Sequence, residues 1–415
     1  MTDGHSDVSR RRLFQGAAGG VAVGAIAAGG AAWGLWPEQA AAADRDQIDL
    51  TNAHPFYDEA HPAGIATPPQ RYAIYMTFDL VDGTLATDLQ TLLARWTAAI
   101  AQLMRGRPVG QVQPTRIDAV GGDSGEATGL DPASLSVTVG LGPGVFDKRF
   151  GLADKKPALL ADLPALPSDR LTKATTGGDL SLQVCSDDPQ VAYHAVRNLA
   201  RMVRDTAQTR WAVLGFGRAS AGQGQETPRN LFGFKDGTRN IRTTADLDRH
   251  VWVKDGWLAG GTYQVVRKVQ MNLEIWDADM VSDQETIFGR TKLEGGPLSG
   301  GGEMATPDFT AKGKDGKTKI SLRSHIALAA HENNNGIKIL RRNYNYTDGI
   351  NQFGQLDAGL LVLTYQNDPA SFIALQTKLG ASDLLNEYIQ HIGSGVFAVP
   401  PAPRTGHYIG EQLFA

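Results

Sequence analysis

Apolar and polar residues alternate along Arg71-Tyr-Ala-Ile-Tyr-Met-Thr-Phe-Asp79, the spacing of a strand with one buried face. Between Asp88 and Met104 the period lengthens. Leu89, Leu92, Leu93, Trp96, Ile100 and Leu103 fall on one side of a helix. Leu135–Leu141 reads as a second strand, ended by the turn Gly142-Pro143-Gly144. Two later segments share one design: Leu180–Cys185 runs through Ser-Asp-Asp into Pro189, and Gly359–Tyr365 runs through Gln-Asn-Asp into Pro369. An apolar stripe follows each, with Val191, Ala195, Leu199 and Val203 in the first and Phe372, Leu375 and Leu379 in the second. Asp before Pro is a sound helix start, because the carboxylate accepts from free backbone N–H groups and Pro needs no acceptor there. A strand also opens each unit, over 71–79 and over 262–276. The repeated order predicts an α+β protein of two duplicated domains with antiparallel sheets. Their expected spans are 71–222 and 223–415, joined within the Gly-, Ser- and Gln-rich stretch Gly215–Asn230 and preceded by an extended lead-in over 44–70.

The first 43 residues stand outside this pattern. Ser9-Arg10-Arg11-Arg12-Leu13-Phe14 precedes an uncharged run, rich in Gly and Ala, that reaches Pro37, and Ala41-Ala42-Ala43 supplies small residues for cleavage. These features predict a twin-arginine export signal with a mature chain from Asp44, periplasmic or extracellular. The alternative is a retained membrane span, for which the run is long enough. Its glycine content and the cleavage pattern favour removal, leaving no permanent span. Export in the folded state suits a protein whose cofactor is inserted first. Cys185 is the only cysteine, so no internal disulfide can form. About 370 residues remain, enough for two cores. The formal charge is −4 and no basic block follows the signal, which argues against nucleic acid as a partner.

Three stretches of the second half carry candidate chemistry. In Asn230-Leu-Phe-Gly-Phe-Lys-Asp-Gly-Thr-Arg-Asn240, glycines and phenylalanines surround Asp236, so a partly desolvated acid/base or an ordinary Asp-Gly turn is expected. In Leu322-Arg-Ser-His325-Ile-Ala-Leu, the apolar run predicts a buried imidazole, either a metal ligand or a structural histidine. In Ile339-Leu-Arg-Arg-Asn-Tyr-Asn-Tyr346, a half-buried strand places at least one arginine inside, where it needs an anion or another acceptor. One such partner is Asp236 itself. No His/Cys/Asp/Glu cluster has the spacing of a metal site built from side chains alone.

Together these stretches resemble the dye-decolorising peroxidases, in particular the exported class that includes the bacterial deferrochelatase/peroxidase of iron-uptake operons. The matching text is Gly-Phe-Lys-Asp-Gly-Thr (233–238), Tyr-Gln-Val-Val-Arg (263–267), Gln-Glu-Thr-Ile-Phe-Gly-Arg (284–290), Ser-His-Ile-Ala-Leu-Ala (324–329) and Ile-Leu-Arg-Arg-Asn-Tyr-Asn-Tyr (339–346). Gln-Leu-Asp-Ala-Gly-Leu-Leu (355–361), Glu-Tyr-Ile (387–389) and Gly-Ser-Gly-Val-Phe (393–397) extend it. The resemblance implies two ferredoxin-like domains and one haem b in the C-terminal domain. It implies His325 as the axial ligand of the haem iron, Asp236 as distal acid/base and Arg341 as distal cation. Gly237, Thr238 and Arg239 would line the haem, with Asn343 beside the distal pair. Where iron-operon members carry Asn-Pro-Arg, this chain reads Ala330-His331-Glu332, so haem propionate contacts from 330–336 are not implied and His331 is either a contact or solvated. The implied activity is reduction of hydrogen peroxide with oxidation of dyes, phenols or other one-electron donors. Release of iron from haem, with iron-uptake partners, and a non-enzymatic haem carrier are the alternatives. A homo-oligomer is compatible with either role. Trp252, Trp257, Tyr344 and Tyr346 are the aromatics nearest these stretches in sequence and the candidates for electron relay.

Overall fold

The computed structural model describes residues 48–415 apart from 117 and 218–226; the expected export signal lies outside them. The strand expected at 71–79 is β1 (Tyr72–Leu80), and the helix expected after it spans Ala86–Leu103. Its stripe is fully buried: Leu89, Leu93, Trp96 and Ile100 have no exposed surface, and the Trp96 indole donates to Leu199 O at 3.0 Å. Each such apolar side chain contributes roughly 1.5–3 kcal/mol on burial. β2 (Ser136–Leu141) and β3 (Leu180–Ser186) follow, then the helix Pro189–Arg201 and β4 (Ala207–Phe216). Asp188 caps that helix, accepting from Gln190 N (2.7 Å) and Val191 N (3.0 Å). Asp368 does the same for the helix Pro369–Ser382, accepting from Ala370 N at 2.8 Å.

The second half repeats the strand plan with β5 (Thr262–Met271), the short β6 (Leu340–Arg341), β7 (Tyr344–Ile350), β8 (Leu356–Gln366) and β9 (Ile389–Val399). In the first half the strands lie in the order β2-β3-β1-β4, and in the second β9-β5-β8-β7, every pair antiparallel. Both are the ferredoxin-like order, so the duplicated α+β plan is present. Pairing of β4 with β7 (Gly215↔Tyr346) and of β2 with β9 (Leu141↔Ala398) joins the two sheets edge to edge into a closed ring of strands. The joins are short, one residue pair between β2 and β9 and two between β4 and β7.

One expected element is shorter than its pattern. The strand expected over 262–276 ends at Met271, and Leu273–Asp277 turns into a short helix. That turn swings the Trp276 ring against Phe232 (centroids 4.5 Å) and Tyr388 (5.0 Å), burying it completely. Burial of one indole outweighs continuation of an exposed strand end. In the second half, the place of the first crossover helix is taken by the helix Val281–Phe288, a long loop and the short helix His325–Ala329. This irregular insertion, laid over the sheet, carries His325.

Candidate active site

A cavity of about 260 Å³ opens between the 232–239 loop, the 325–331 segment and the face of the second sheet. Its walls are largely apolar, including Val269, Phe288, Ile326, Leu375 and Leu379. His325, first residue of its helix, faces this space with 29% of its side chain exposed. Its Nδ1 lies 2.7 Å from Asp383 Oδ2, and Nε2 has no hydrogen-bond partner among the described residues. Asp383 caps the turn that follows Pro369–Ser382, accepting from Leu385 N at 2.9 Å, so its direction is set by backbone. Burial pushes the His325 pKa down, but the Asp383 charge and hydrogen bond push it up further, and the net direction is upward. A carboxylate at Nδ1 fixes the tautomer and leaves the Nε2 lone pair for a ligand.

Asp236 lines the same cavity, and the loop carrying it is rigidly built. Gly237 sits at φ 114°, open to glycine and strained for other residues, while Asp236 N donates to Pro228 O at 2.8 Å. Arg341 Nη1 donates to Asp236 Oδ1 at 2.8 Å, and Asn343 Nδ2 donates to Oδ2 at 3.1 Å. Asp236 is 13% exposed and Arg341 31%. Asn240 ties the loop to β6 twice, donating to Arg341 O (2.6 Å) and accepting from Arg341 N (2.9 Å). The carboxylate therefore meets the guanidinium in a fixed orientation. Of the two arginines expected on this strand, Arg341 is the one in the cavity. Arg342 is buried on the other side, where the carbonyls of Thr67 (2.6 Å) and Pro68 (3.2 Å) and the Gln70 side chain accept from it. The lead-in is thus strapped to the sheet by a buried cation.

Gly237, Thr238, Arg239 and His331 also line the cavity. Arg239 donates to Glu332 twice (2.6 and 3.0 Å) and lies 3.2 Å from His331 Nε2, so the altered 331–332 segment engages this arginine. Three cavity residues had no role assigned from sequence. Arg290 is buried, and its Nη1 meets the carbonyls of Gly295 (2.6 Å) and Glu303 (3.0 Å). It closes the quoted 284–290 motif, the one signal that could have flagged it. Phe288 places its ring 6.0 Å from His325 and stacks on Phe234 at 4.0 Å. Asp383 is 58 positions from His325, and nothing local announces it. Of the relay candidates, Trp252, Tyr344 and Tyr346 are buried in a separate cluster and Trp257 donates to Lys155 O at 2.7 Å; Trp276, not among them, lies beside Phe288 at 5.7 Å.

Fold and cavity together define an α+β protein with a largely apolar pocket lined by an imidazole and by a carboxylate–guanidinium pair. The chain belongs to the Dyp-type peroxidase family, whose enzymes use hydrogen peroxide: the family's N-terminal model matches residues 62–217 and its C-terminal model residues 227–404. A deferrochelatase of Escherichia coli O157:H7 is 36% identical over 428 residues, covering 99% of this chain and 98% of that protein. The crystal structure of a DyP-type peroxidase from Streptomyces coelicolor is similar with a TM-score of 0.82 at 36% identity, covering 88% of this chain and 98% of that one. Ferric DtpA from Streptomyces lividans is similar to the same degree, with a TM-score of 0.82, 36% identity and coverage of 88% and 98%.

Proposed function

We propose that this peroxidase binds one haem b in the 260 Å³ cavity, where His325 would hold the iron, Asp236 would act as acid/base and Arg341 would be the cation that stabilises developing charge. The single observation carrying this is the shared cavity: an imidazole backed by Asp383 and a carboxylate paired with a guanidinium line one apolar space. The cofactor fits. Among the described residues there is no group of three His, Cys, Asp or Glu that could hold a bare ion. A porphyrin supplies the donors that one histidine lacks. Besides Arg341 and the buried Arg267, the guanidiniums of Arg239 and Arg290 line the cavity; Arg290 has only carbonyl acceptors for company, so a carboxylate of a haem would be met there. Gly237 and Thr238 complete that wall. The division into a domain over 71–222 and a haem-binding domain over 223–415 belongs to the same proposal.

When bound, the haem supplies two electrons to the O–O bond of hydrogen peroxide, replaced one at a time by dyes, phenols or similar donors. The chain's own residues handle protons and charge. Asp236 takes the proton from one peroxide oxygen and returns it to the other, so that oxygen leaves as water. Arg341 donates to the oxygen on which negative charge builds. Asn343 holds the second oxygen of the carboxylate and keeps it aimed. Asp383 keeps His325 in the tautomer that presents Nε2 to iron. His331 joins Arg239 at the cavity wall. The decisive experiment is the absorption spectrum of His325→Ala after reconstitution with haem. Loss of the ligated haem band and of peroxide-dependent dye oxidation is expected; an unchanged band would refute the assignment.

The name of the Escherichia coli relative supports a second reading, release of iron from haem with the macrocycle intact. Free protoporphyrin after incubation with haem would establish it. The paired arginines and small-residue site of the first 43 residues support twin-arginine export. Among the described residues, no helix is long and apolar enough to cross a membrane.

A further inference from the structure

The carboxylate of Glu303 grips the Asp236 loop on both sides of Asp236. It accepts from the Thr227 hydroxyl, from Lys235 Nζ and from the Thr238 hydroxyl, the last at 3.1 Å. These three lie nine positions before, one before and two after Asp236. Glu303 and Lys235 are largely buried, at 15% and 17% exposure, so the pair is shielded from salt and solvent. Glu303 is itself held, because Arg290 Nη1 donates to its carbonyl and to that of Gly295. A relay of fixed contacts thus runs from Arg290 through Glu303 to the loop. Lys235 and Asp236 both line the cavity, and Lys235 is the nearest ammonium in sequence to the Asp236 carboxylate. The other charged or titratable groups lining the cavity are Arg239, Arg267, Arg290, His325, His331, Lys338, Arg341, Asp383 and His391.

We infer that Glu303 is a positioning residue for the peroxide reaction: it clamps the 227–238 loop and keeps the Lys235 ammonium engaged away from Asp236. This rests on the acid/base reading of Asp236. A displacement of about 1 Å in a catalytic group costs up to ~100-fold in rate, so Glu303→Gln, which keeps the shape and loses the charge, slows the peroxide step of the haem-loaded enzyme about tenfold to hundredfold. It also shifts the acid limb of the pH profile as Lys235 is released. In the haem-free protein, hydrogen exchange at the Asp236 N–H, bonded to Pro228 O, accelerates. Because Glu303 acts through Asp236, the double variant Glu303→Gln/Asp236→Asn is no slower than Asp236→Asn alone. Thr227→Val, a milder loss of one clamp contact, moves rate and exchange in the same direction by a few-fold and serves if Glu303→Gln fails to fold. Unchanged exchange and rate, or full additivity with Asp236→Asn, overturns the inference. If Asp236→Asn itself reacts at the wild-type rate, the acid/base reading fails instead, and exchange at Asp236 alone then decides the clamp.

Discussion

Replacement of Asp236 by Asn tests the acid–base assignment with little geometric disturbance. The amide oxygen can still accept from Arg341 Nη1, now 2.8 Å from Oδ1. The new amide nitrogen would meet the Asn343 Nδ2, but Asn343 Oδ1 is buried without a partner, so a flip of that amide offers it an acceptor. What is lost is the proton site. General acid–base catalysis contributes about 10²–10⁴-fold, or roughly 3–5 kcal/mol at 1.36 kcal/mol per decade. Arg341→Leu removes one charge-stabilising donor, a loss of about 10²–10³-fold. If the two acted independently, the double variant would lose the product of the two factors. Held on each other at 2.8 Å they act as a unit, and the double variant is expected near the worse single variant. The assay is the second-order rate constant for peroxide, measured by stopped flow on enzyme saturated with haem. Arg341 is about a third exposed, so the ion pair adds at most about 1 kcal/mol to stability and thermal unfolding should hardly move. An Asp236→Asn enzyme within threefold of the wild-type rate would refute the proton-transfer role.

Other consequences follow from charges buried around the cavity. Asp383→Asn replaces the charged acceptor at His325 Nδ1 with a neutral one, and haem retention is expected to fall about tenfold to hundredfold, read as the rate of haem loss. Asp169→Ala strands Arg267, which is 1% exposed and otherwise has only Ser394 Oγ at 3.1 Å among the described residues; about 3–5 kcal/mol of stability should be lost in denaturant titration, and a loss below 1 kcal/mol would contradict the burial. His391 has its pKa pushed down to about 3, by burial first and by the Arg267 charge second. Below pH 6.5 the unfolded chain takes a proton that the native imidazole refuses, so this residue lowers stability progressively from pH 6.5 toward 3. His391→Gln should flatten that fall, gaining about 3 kcal/mol relative to wild type near pH 4.5; parallel stability–pH curves would rule this out.

Periodicity alone carried most of the regular structure. The 71–79 alternation, the Leu89–Leu103 stripe and both Asp-Pro helix starts appear within a residue or two of their expected positions, because each depends on neighbours a few positions apart. The resemblance supplied the site residues His325, Asp236 and Arg341, and with them the family. The pattern of the chain did not separate Arg341 from Arg342, since adjacent strand residues point to opposite faces and the facing is decided by pairing with β8. Nor did it mark the strand end at Met271, which depends on a hydrophobic niche for Trp276 assembled from residues 232, 288 and 388.

Local spacing, then, determined which segments form strands and helices, and the resemblance pointed to the short stretches with candidate chemistry. Tertiary structure decided the closure of two sheets through β4–β7 and β2–β9, the Asp383 carboxylate behind His325 and the Glu303 clamp on the Asp236 loop. Those contacts join residues tens to hundreds of positions apart. Their formation depends on register and on the path of the long insertion over the sheet, and neither leaves a periodic trace in the chain.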